Sequence, residues 1–355
     1  MLADVHCGTL RAMRAAAVVV LCAGLAVQAE EIRIEVGRGQ RAARIEAGGR
    51  NHALAVVDSV LTVDGKAVAS AEFPGPVRVD GRELPGRLEV FIDRGALVAV
   101  NAVDLEQYVA AVVASEVSPK WPAEALRAQA VAARTFAVAQ KVAQGPGARA
   151  HLGSSVLDQV YRNAARPPQP ALDAARSTAG EVLTYGAAPI AAWFSASCGG
   201  VSESAEAAFH LEPGAAPYIR GGDRDDDRRE WTVRLPLAEI TAALRKAQRI
   251  QAEIRGVAVE TRTASGRAKD LALATSSGTR PLSAVELRQL LGYNRIPSLL
   301  FEVSTEGATA LFRGRGSGHG VGLCQWGARS RALAGAGYRD ILAHYYPDAE
   351  VRRMY

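Results

Sequence analysis

The sequence predicts an α+β fold in which helices and antiparallel strands surround a groove, with a small β-rich unit at the N-terminus. Two observations predict it. Residues 31–103 consist of short, β-branched segments separated by Gly, Asp-Gly and Pro, a pattern typical of antiparallel strands. Residues 104–144 instead repeat apolar side chains at helical spacing. The 355 residues, of which 48% are hydrophobic, are enough for one large globular domain or two smaller ones.

We interpret residues 1–29 as a secretory signal peptide. Arg11 and Arg14 precede an apolar run at residues 15–27, and small residues that suit cleavage end at Ala29. The mature chain is then exported, to the periplasm or to the cell-wall side of the cytoplasmic membrane. No later apolar run is long enough to span a membrane. An anchor that is not cleaved is the alternative interpretation of the first run.

The cysteines divide into two pairs. Cys7 and Cys22 lie in the predicted signal peptide, so the mature chain keeps Cys198 and Cys324. An even number of cysteines in an oxidising compartment is typical of a disulfide.

The charge balance favours an anionic partner. The formal net charge is +5 and the pI is near 9.1. A basic surface of this kind attracts an anionic polymer, such as a glycan that carries lactyl carboxylates. Nucleic acid is not an expected partner, because the chain is predicted to be exported and has no basic patch interleaved with aromatic residues.

The β-rich unit, residues 30–103, contains the strand-like segments IRIEV, ALAVV, VLTV, VRV, LEVFI and LVAVNAV. Asp64-Gly65 and Asp80-Gly81 are hairpin-turn signals. We expect a small antiparallel unit that packs against the helical centre.

The stretch that follows predicts a helix whose buried face ends in a carboxyl group. Asp104 suits the N-cap, with Gln107 three residues later at capping-box spacing. Apolar side chains then recur at helical spacing at Leu105, Tyr108, Val109, Val112 and Val113. Glu116 continues this face.

Glu116 is the candidate catalytic residue. Partial burial and the negative end of the helix dipole both disfavour its charged form, so we expect a raised pKa. Such a pKa suits a general acid that works near neutral pH. The alternative is that Glu116 caps the following turn through the backbone amides of residues 117–120.

A second helix is predicted from Pro122 to a stop at Gly145, with Glu124 in its first turn. It is rich in alanine, so other elements can approach it closely. Arg134 lies among these small residues, where a guanidinium needs an acceptor unless it faces water. It either contacts substrate or forms an ion pair between helices.

The string YVAAVVASEVSPKWPAEALRAQAVAARTFA resembles the signature of the stage II sporulation protein D and amidase-enhancer family. Members of that family are lytic transglycosylases, carbon–oxygen lyases that cut the glycan strands of peptidoglycan. The glutamate of the family's "xxSE" tetrad is the catalytic acid, and Glu116 occupies that position here. The resemblance implies no cofactor.

Further segments resemble the family between residues 158 and 206. They are DQVYRN, a short helix at residues 172–178, strands at residues 181–185 and 190–195, and the loop SASCGGVSES. In that loop Cys198 stands where serine is frequent.

The charge run DRDDDRR at residues 223–229 carries aspartates that could hold a divalent cation through oxygen ligands. Its arginines neutralise these charges, and the spacing of a calcium loop is absent. We expect a solvated, self-paired loop and no metal site.

Residues 232–305 mix strand and helix patterns and are interpreted as a lobe inserted into a domain of residues 104–355. LPLAEITAALRKAQ is amphipathic, IRGVAVETRT and KDLALAT are strand-like, and a helix is predicted from about Ser283 to Gly292. The lobe either completes the groove or serves as scaffold.

A glycine-rich motif near the C-terminus places a glycine at every second position from Gly314 to Gly322. In an extended chain one face would then carry no side chains, so another backbone or a sugar ring could lie on it. The spacing differs from that of a dinucleotide-binding loop.

This block resembles the family's "GRGWGHGVGMSQWGA" signature, with two departures. Ser317 stands where tryptophan is usual, which removes a surface for sugar stacking, and Cys324 stands where serine is common. Cys198 and Cys324 thus both replace serines of the glycine-rich motifs. Our hypothesis is that they form a disulfide that ties the two loops together beside Glu116.

The resemblance implies cleavage of MurNAc–GlcNAc bonds in strands stripped of stem peptides. Protonated Glu116 would donate to the leaving oxygen, with assistance from the N-acetyl group of the substrate. It would then take the proton of the 6-hydroxyl, which closes a 1,6-anhydro ring. This needs one carboxyl group where ordinary glycoside hydrolysis needs two. Candidates for a second carboxylate are Glu203, Glu206 and Asp158.

Polar residues of the matching motifs are candidates for lining the groove, namely Gln129, Arg134, Tyr161, Ser195, His319 and Gln325. A second interpretation is a non-catalytic glycan-binding activator of an N-acetylmuramoyl-L-alanine amidase. A third, a cysteine hydrolase that uses Cys324 and His319, is disfavoured. On an extended chain these two side chains would point to opposite faces, and a disulfide would block the thiolate.

Overall fold

The computed structural model describes residues 30–153, 161, 165–222, 224–225 and 227–355. Within these ranges it shows eight helices and mostly antiparallel sheets, which confirms the predicted α+β class. The predicted signal peptide and most of the DQVYRN segment lie outside the described residues, and so does Asp158.

Ten strands in two sheets form the N-terminal unit. Each of the six strand-like segments lies within a strand, and four short strands were not predicted. The bounds are β1 Glu31–Gln40, β2 Ala42–Ala47, β3 Arg50–Val57, β4 Val60–Val63, β5 Lys66–Val68, β6 Ser70–Pro74, β7 Val77–Val79, β8 Arg82–Leu84, β9 Arg87–Asp93 and β10 Ala96–Asp104. One sheet orders its strands β1-β10-β9-β6, and the other orders them β5-β4-β3-β2-β7-β8.

Both predicted hairpin turns form. Asp64 and Gly65, between β4 and β5, have φ of 52° and 81°. Asp80 and Gly81, between β7 and β8, have φ of 48° and 76°. Positive φ at both central residues gives the turn a twist that matches the flanking strands, and Asp-Gly adopts it readily.

The two central helices are α1 Leu105–Glu116 and α2 Ala123–Gln144. The Oδ1 atom of Asp104 accepts a hydrogen bond from the Gln107 amide at 3.0 Å, as the capping pattern predicts. The predicted apolar face of α1 is fully buried. Helix α2 follows Pro122 and ends at Gly145, and it is buried along most of its length because other elements pack around it.

The remaining elements follow α2 in the chain. They are β11 Leu152–Gly153, α3 Gln169–Ser177, β12 Glu181–Tyr185, β13 Ala188–Pro189, β14 Phe194–Ser195, α4 Ala205–Phe209, β15 Glu230–Pro236, α5 Leu237–Lys246, β16 Ile254–Arg262, β17 Ala268–Thr275, β18 Gly278–Ser283, α6 Ala284–Leu291, β19 Phe301–Glu306, β20 Thr309–Arg315, β21 Leu323–Cys324, α7 Gln325–Leu333, α8 Tyr338–Tyr345 and β22 Glu350–Arg353. The strand predicted at residues 190–195 is shorter than expected, since only its last two residues, β14, pair with β21, in parallel.

The described residues form several apolar cores. Strands of the N-terminal unit share one core with α1, α2 and α3. Helices α5 and α6 and strands β15 to β20 surround a separate core. Helix α6 has Ser283 as N-cap and Gly292 as C-cap, at the predicted positions. The domain boundaries drawn from the sequence stay predictions.

No helix of the described residues combines the length and the apolar character needed to cross a membrane.

Arg134 connects the elements of the helical centre. Its side chain has no exposed area, and its Nε donates to Oε1 of Glu106 on α1 at 2.7 Å while Nη2 donates to Oε2. The other donors reach the hydroxyl of Thr178 and the carbonyls of Ala175 and Glu181. All five guanidinium N–H groups are therefore used inside the protein. The predicted groove-lining role is corrected, and the alternative, an ion pair between helices, is what the structure shows.

Replacing Arg134 tests how much this network stabilises the fold. Arg134→Met leaves Glu106 and three further acceptors without their cation, and losing one partner of a buried pair typically costs about 3–5 kcal/mol. Arg127→Met is the matched control, because Arg127 of the same helix pairs with Glu124 while both are about one-third exposed. We expect a loss below about 1 kcal/mol there. Equal shifts of the urea-unfolding midpoint in the two variants would contradict the assignment.

Candidate active site

Glu116 is the last residue of α1 and is partly exposed. The helix ends here because Val117 is extended, and its amide donates to the carbonyl of Val113. The amide of Lys120 donates to the hydroxyl of Ser118 at 3.3 Å. Residue 119 is a proline without an N–H group, so two of the three amides that Glu116 was alternatively expected to cap are bonded to other groups. The carboxyl group emerges from a well-packed helix at the point where the chain turns.

Gln325 is brought to Glu116 from the other end of the chain. It is the first residue of α7 and is 3% exposed. Its Nε2 donates to Oε2 of Glu116 at 3.2 Å. The "xxSE" motif and the glycine-rich C-terminal motif therefore meet at one carboxylate.

The glycine-rich segment is not the extended strand that its alternation predicted. Gly316, Gly318, Gly320 and Gly322 have φ of 78°, 103°, 78° and 65°, a left-handed conformation that favours glycine. A Cβ on Gly318 would lie 2.6 Å from Cβ of Ser195. Because these glycines have no side chains, residues 193–199 and Arg267 can pack directly against them. The sequence analysis had also considered a sugar ring at this face.

Ser195 and His319 hold these two segments together. The hydroxyl of Ser195 is buried and accepts a hydrogen bond from the Gly320 amide at 3.2 Å. Nδ1 of His319 accepts from the Val321 amide at 3.0 Å, and the ring also bonds to the backbone of Phe194. Direct sugar contact by His319 or Ser195 stays a prediction.

The ring of His319 is neutral at neutral pH. Removal from water lowers its pKa to about 4, and the positive charges of Arg288 and Arg267 add to this effect. Its edge lies against Phe209, with ring centroids 5.1 Å apart.

Tyr161 and Gln129 are both interior residues. Tyr161 is 1% exposed, and its hydroxyl donates to Asn101 Oδ1 at 2.8 Å, so its predicted place in the groove is corrected. Gln129 is 1% exposed, and among the described residues neither polar atom of its amide has a hydrogen-bond partner. A buried amide of this kind is usually satisfied by water or by a ligand.

The two remaining cysteines lie together, as the sequence hypothesis required. The amide of Cys198 donates to Sγ of Cys324 at 3.2 Å, and both side chains are buried free thiols. The disulfide predicted from the sequence stays a prediction. A hydrogen bond with Cys198 and burial raise the pKa of Cys324 well above its ordinary value, which further disfavours a cysteine hydrolase.

The described residues of the aspartate-rich loop match the expected solvated, self-paired loop only in part. The Asp225 side chain is 5% exposed and lies against α7 and α8, where Tyr345 donates to its Oδ2 at 2.8 Å. The Asp227 side chain is 8% exposed, and among the described members of the run its contact with Arg229, at 3.5 Å, is the one ion pair. The sequence did not reveal the burial of Asp225 because its partners on α7 and α8 lie more than a hundred residues away.

The candidates for a second carboxylate differ in their surroundings. Glu203 is 2% exposed and accepts hydrogen bonds from the hydroxyls of Thr263 and Ser265. It is therefore held inside the protein. Glu206, on α4, is partly exposed.

Two tryptophans beside the Glu116–Gln325 contact were not among the predicted site residues. Trp121 follows the turn after Glu116 and Trp326 follows Gln325, and their ring centroids are 4.9 Å apart. The guanidinium carbon of Arg229 lies 3.1 Å from the ring centroid of Trp326, and that of Arg329 lies 5.2 Å from the same centroid. Both tryptophans lie in the two family motifs, so the presence of aromatic residues in those motifs could have identified them from the sequence.

A separate pocket of about 540 Å³ lies on the lobe near the glycine-rich motif. Its lining includes Trp231, Arg262, Arg313 and Arg315. Glu116 is not part of this lining, so the pocket is not the candidate active site.

Two family models match separate parts of the chain. A family model described as stage II sporulation protein matches residues 93–185, and a domain of unknown function matches residues 220–322. An uncharacterized protein of Brachyspira hyodysenteriae is 31% identical over 276 residues, which cover 77% of this chain and 73% of that protein.

Stage II sporulation protein D of Bacillus subtilis is 33% identical over 279 residues, covering 73% of this chain and 77% of the relative. The amidase enhancer of Bacillus subtilis is 26% identical over 285 residues, covering 66% of this chain and 39% of that protein. The site and the extent of these matches define the class: the chain belongs to the stage II sporulation protein D family.

The lowered pKa of His319 predicts a pH dependence of stability. The unfolded chain binds the proton below about pH 6.5 and the folded chain only below about pH 4. Stability should therefore fall as the pH drops from about 6.5 to about 4, because the unfolded state binds more protons in that window. His319→Asn keeps an acceptor for the Val321 amide and should flatten this part of the profile. Parallel profiles of urea midpoint against pH for both proteins would refute the assignment.

Proposed function

We propose that this protein is an exported lytic transglycosylase that cuts the glycan strands of peptidoglycan, with Glu116 as general acid and base. The observation that carries the proposal is the contact between Glu116 and Gln325, which joins the two most specific family motifs at one partly exposed carboxylate. Membership of the stage II sporulation protein D family supports a role at the cell wall.

The mechanism needs Glu116 to change protonation state during the reaction. As an acid it gives a proton to the leaving glycosidic oxygen, while the N-acetyl group of the substrate assists departure. As a carboxylate it then removes the proton of the 6-hydroxyl, and that oxygen attacks the anomeric carbon. The product ends in a 1,6-anhydro-MurNAc ring, and no water is consumed.

Gln325 suits a partner that alternates between acid and carboxylate. A primary amide carries both donors and an acceptor. Its NH₂ group donates to the carboxylate form, and after a rotation of the amide its oxygen accepts from the protonated form. Since Gln325 is almost fully buried, its position is fixed while its amide serves both states of Glu116.

Trp121 and Trp326 supply a stacking surface for sugar rings beside Glu116. Arg229 is about half exposed at 48% of its side chain, and together with Arg329 it adds positive charge to this surface. The lactyl groups of MurNAc carry carboxylates, so an aromatic surface edged by arginine fits this glycan. The two tryptophans also offer an aromatic surface, which is lost at position 317 because Ser317 replaces the tryptophan usual in the family.

The surroundings of Glu203 argue against its acting as a second catalytic carboxylate, which supports a mechanism with one carboxyl group. That carboxylate accepts hydrogen bonds from Thr263 and Ser265 and is closed to solvent, so it is poorly placed to activate water. Glu206 is the partly exposed candidate and can be tested directly.

A second candidate function is favoured by the match to the amidase enhancer. Here the protein would bind glycan and activate an N-acetylmuramoyl-L-alanine amidase without cutting the strand itself. Binding would then survive the loss of the Glu116 carboxyl group.

Mass spectrometry of denuded glycan strands separates these functions. We expect the mature protein to release products ending in 1,6-anhydro-MurNAc and Glu116→Gln to release none, because the amide cannot donate or remove the required protons. Glu206→Gln is the matched control and should give the same products as the wild type.

Products that carry an added water, together with their loss in Glu206→Gln, would replace the proposal with a two-carboxylate hydrolase. Intact strands with every protein, combined with unchanged glycan binding by Glu116→Gln, would support the amidase-activating role instead.

A further inference from the structure

A buried cluster of three ligand-type side chains lies beside α7. The Sγ atoms of Cys198 and Cys324 and a carboxylate oxygen of Asp225 lie within 4.8 Å of one another. Each cysteine is 1% exposed, and the Asp225 side chain is 5% exposed. We propose that these residues form a structural site for a divalent metal ion of the zinc type.

The distance between the Cys198 and Asp225 ligand atoms fits tetrahedral coordination. Sγ of Cys198 lies 3.6 Å from Oδ2 of Asp225. Zinc bonds to thiolate at about 2.3 Å and to carboxylate at about 2.0 Å, so two such ligands at a tetrahedral angle are about 3.5 Å apart. Thiolate ligands select zinc over magnesium and calcium, which prefer oxygen alone.

The ligands are held by hydrogen bonds from their surroundings. Sγ of Cys324, the N-cap of α7, accepts from the amides of Cys198 at 3.2 Å and Gly327 at 3.4 Å. The hydroxyl of Tyr345 donates to Oδ2 of Asp225 at 2.8 Å. Gly327 packs directly against Asp225, since a Cβ on Gly327 would be 2.4 Å from Oδ2 of Asp225. Such outer contacts orient metal ligands and are typical of built sites.

The local charges also favour a cation. Two thiolates and one carboxylate carry three negative charges. A divalent ion neutralises two of them, so one negative charge remains. Arg331, whose Nη2 lies 3.4 Å from Oδ1 of Asp225, supplies the remaining positive charge. The complete cluster is then neutral, as a buried site requires.

A disulfide explains this arrangement less well than a metal ion does. It would use both sulfur atoms and would leave the buried Asp225 carboxylate directed at a neutral bond. A metal ion uses all three groups, and it connects the loop at Cys198, the aspartate-rich loop and the start of α7. The inference concerns the framework that carries Gln325 and does not depend on the catalytic proposal.

The metal content of the mature protein, purified without chelator, tests the site. We expect about one zinc ion per chain by elemental mass spectrometry. Cys198→Ser and Asp225→Asn should lose most of it. Asp227→Asn is the matched control, because Asp227 is another buried aspartate of the same loop, and it should keep its zinc.

Two measurements on the wild type avoid variants that fail to fold. After removal of metal by chelator, added zinc should raise the melting temperature, since a ligand that binds only the folded state stabilises it. Cobalt should give a thiolate-to-cobalt charge-transfer band. A Cys198–Cys324 disulfide in the intact mass of the non-reduced protein would overturn the inference, and so would free thiols that produce neither response.

Discussion

The buried pair between Arg134 and Glu106 is the contact on which the helical centre depends. A guanidinium removed from water needs acceptors for all its donors, and here they come from α1, α3 and the strand that follows. The small side chains of α2 let these elements approach closely. Because the pair holds α1 against α2, it also sets the direction of α1 and therefore the place at which Glu116 leaves the core.

The other half of the site depends on how two glycine-rich segments fit together. Left-handed glycines bring the backbone of residues 316–322 against residues 193–199, and Ser195 and His319 bond across the contact. This contact sets the start of α7, and hence the position of Gln325 opposite Glu116. The proposed metal site lies at the same junction, so one framework would hold the Glu116–Gln325 contact and the tryptophan pair next to it.

Features set by neighbouring residues could be predicted from the sequence. The Asp104 cap, the Asp-Gly turns and the ends of α6 each depend on a few adjacent positions, and all form as expected. The left-handed glycines, the burial of Asp225 and the choice between the two roles considered for Arg134 could not be predicted, because each depends on partners far away in the chain. For the glycines, alternation fits an extended strand and a folded loop equally well, and only the packing of residues 193–199 distinguishes them.

We propose that one carboxyl group cuts the strand and that the sugar's own hydroxyl, not water, completes the reaction. The most direct test is cleavage of denuded strands in water enriched in the heavy oxygen isotope, followed by mass spectrometry of the new chain ends. We expect 1,6-anhydro ends that contain none of the heavy isotope. Reducing ends that carry one heavy oxygen would contradict it and would show that water is the nucleophile.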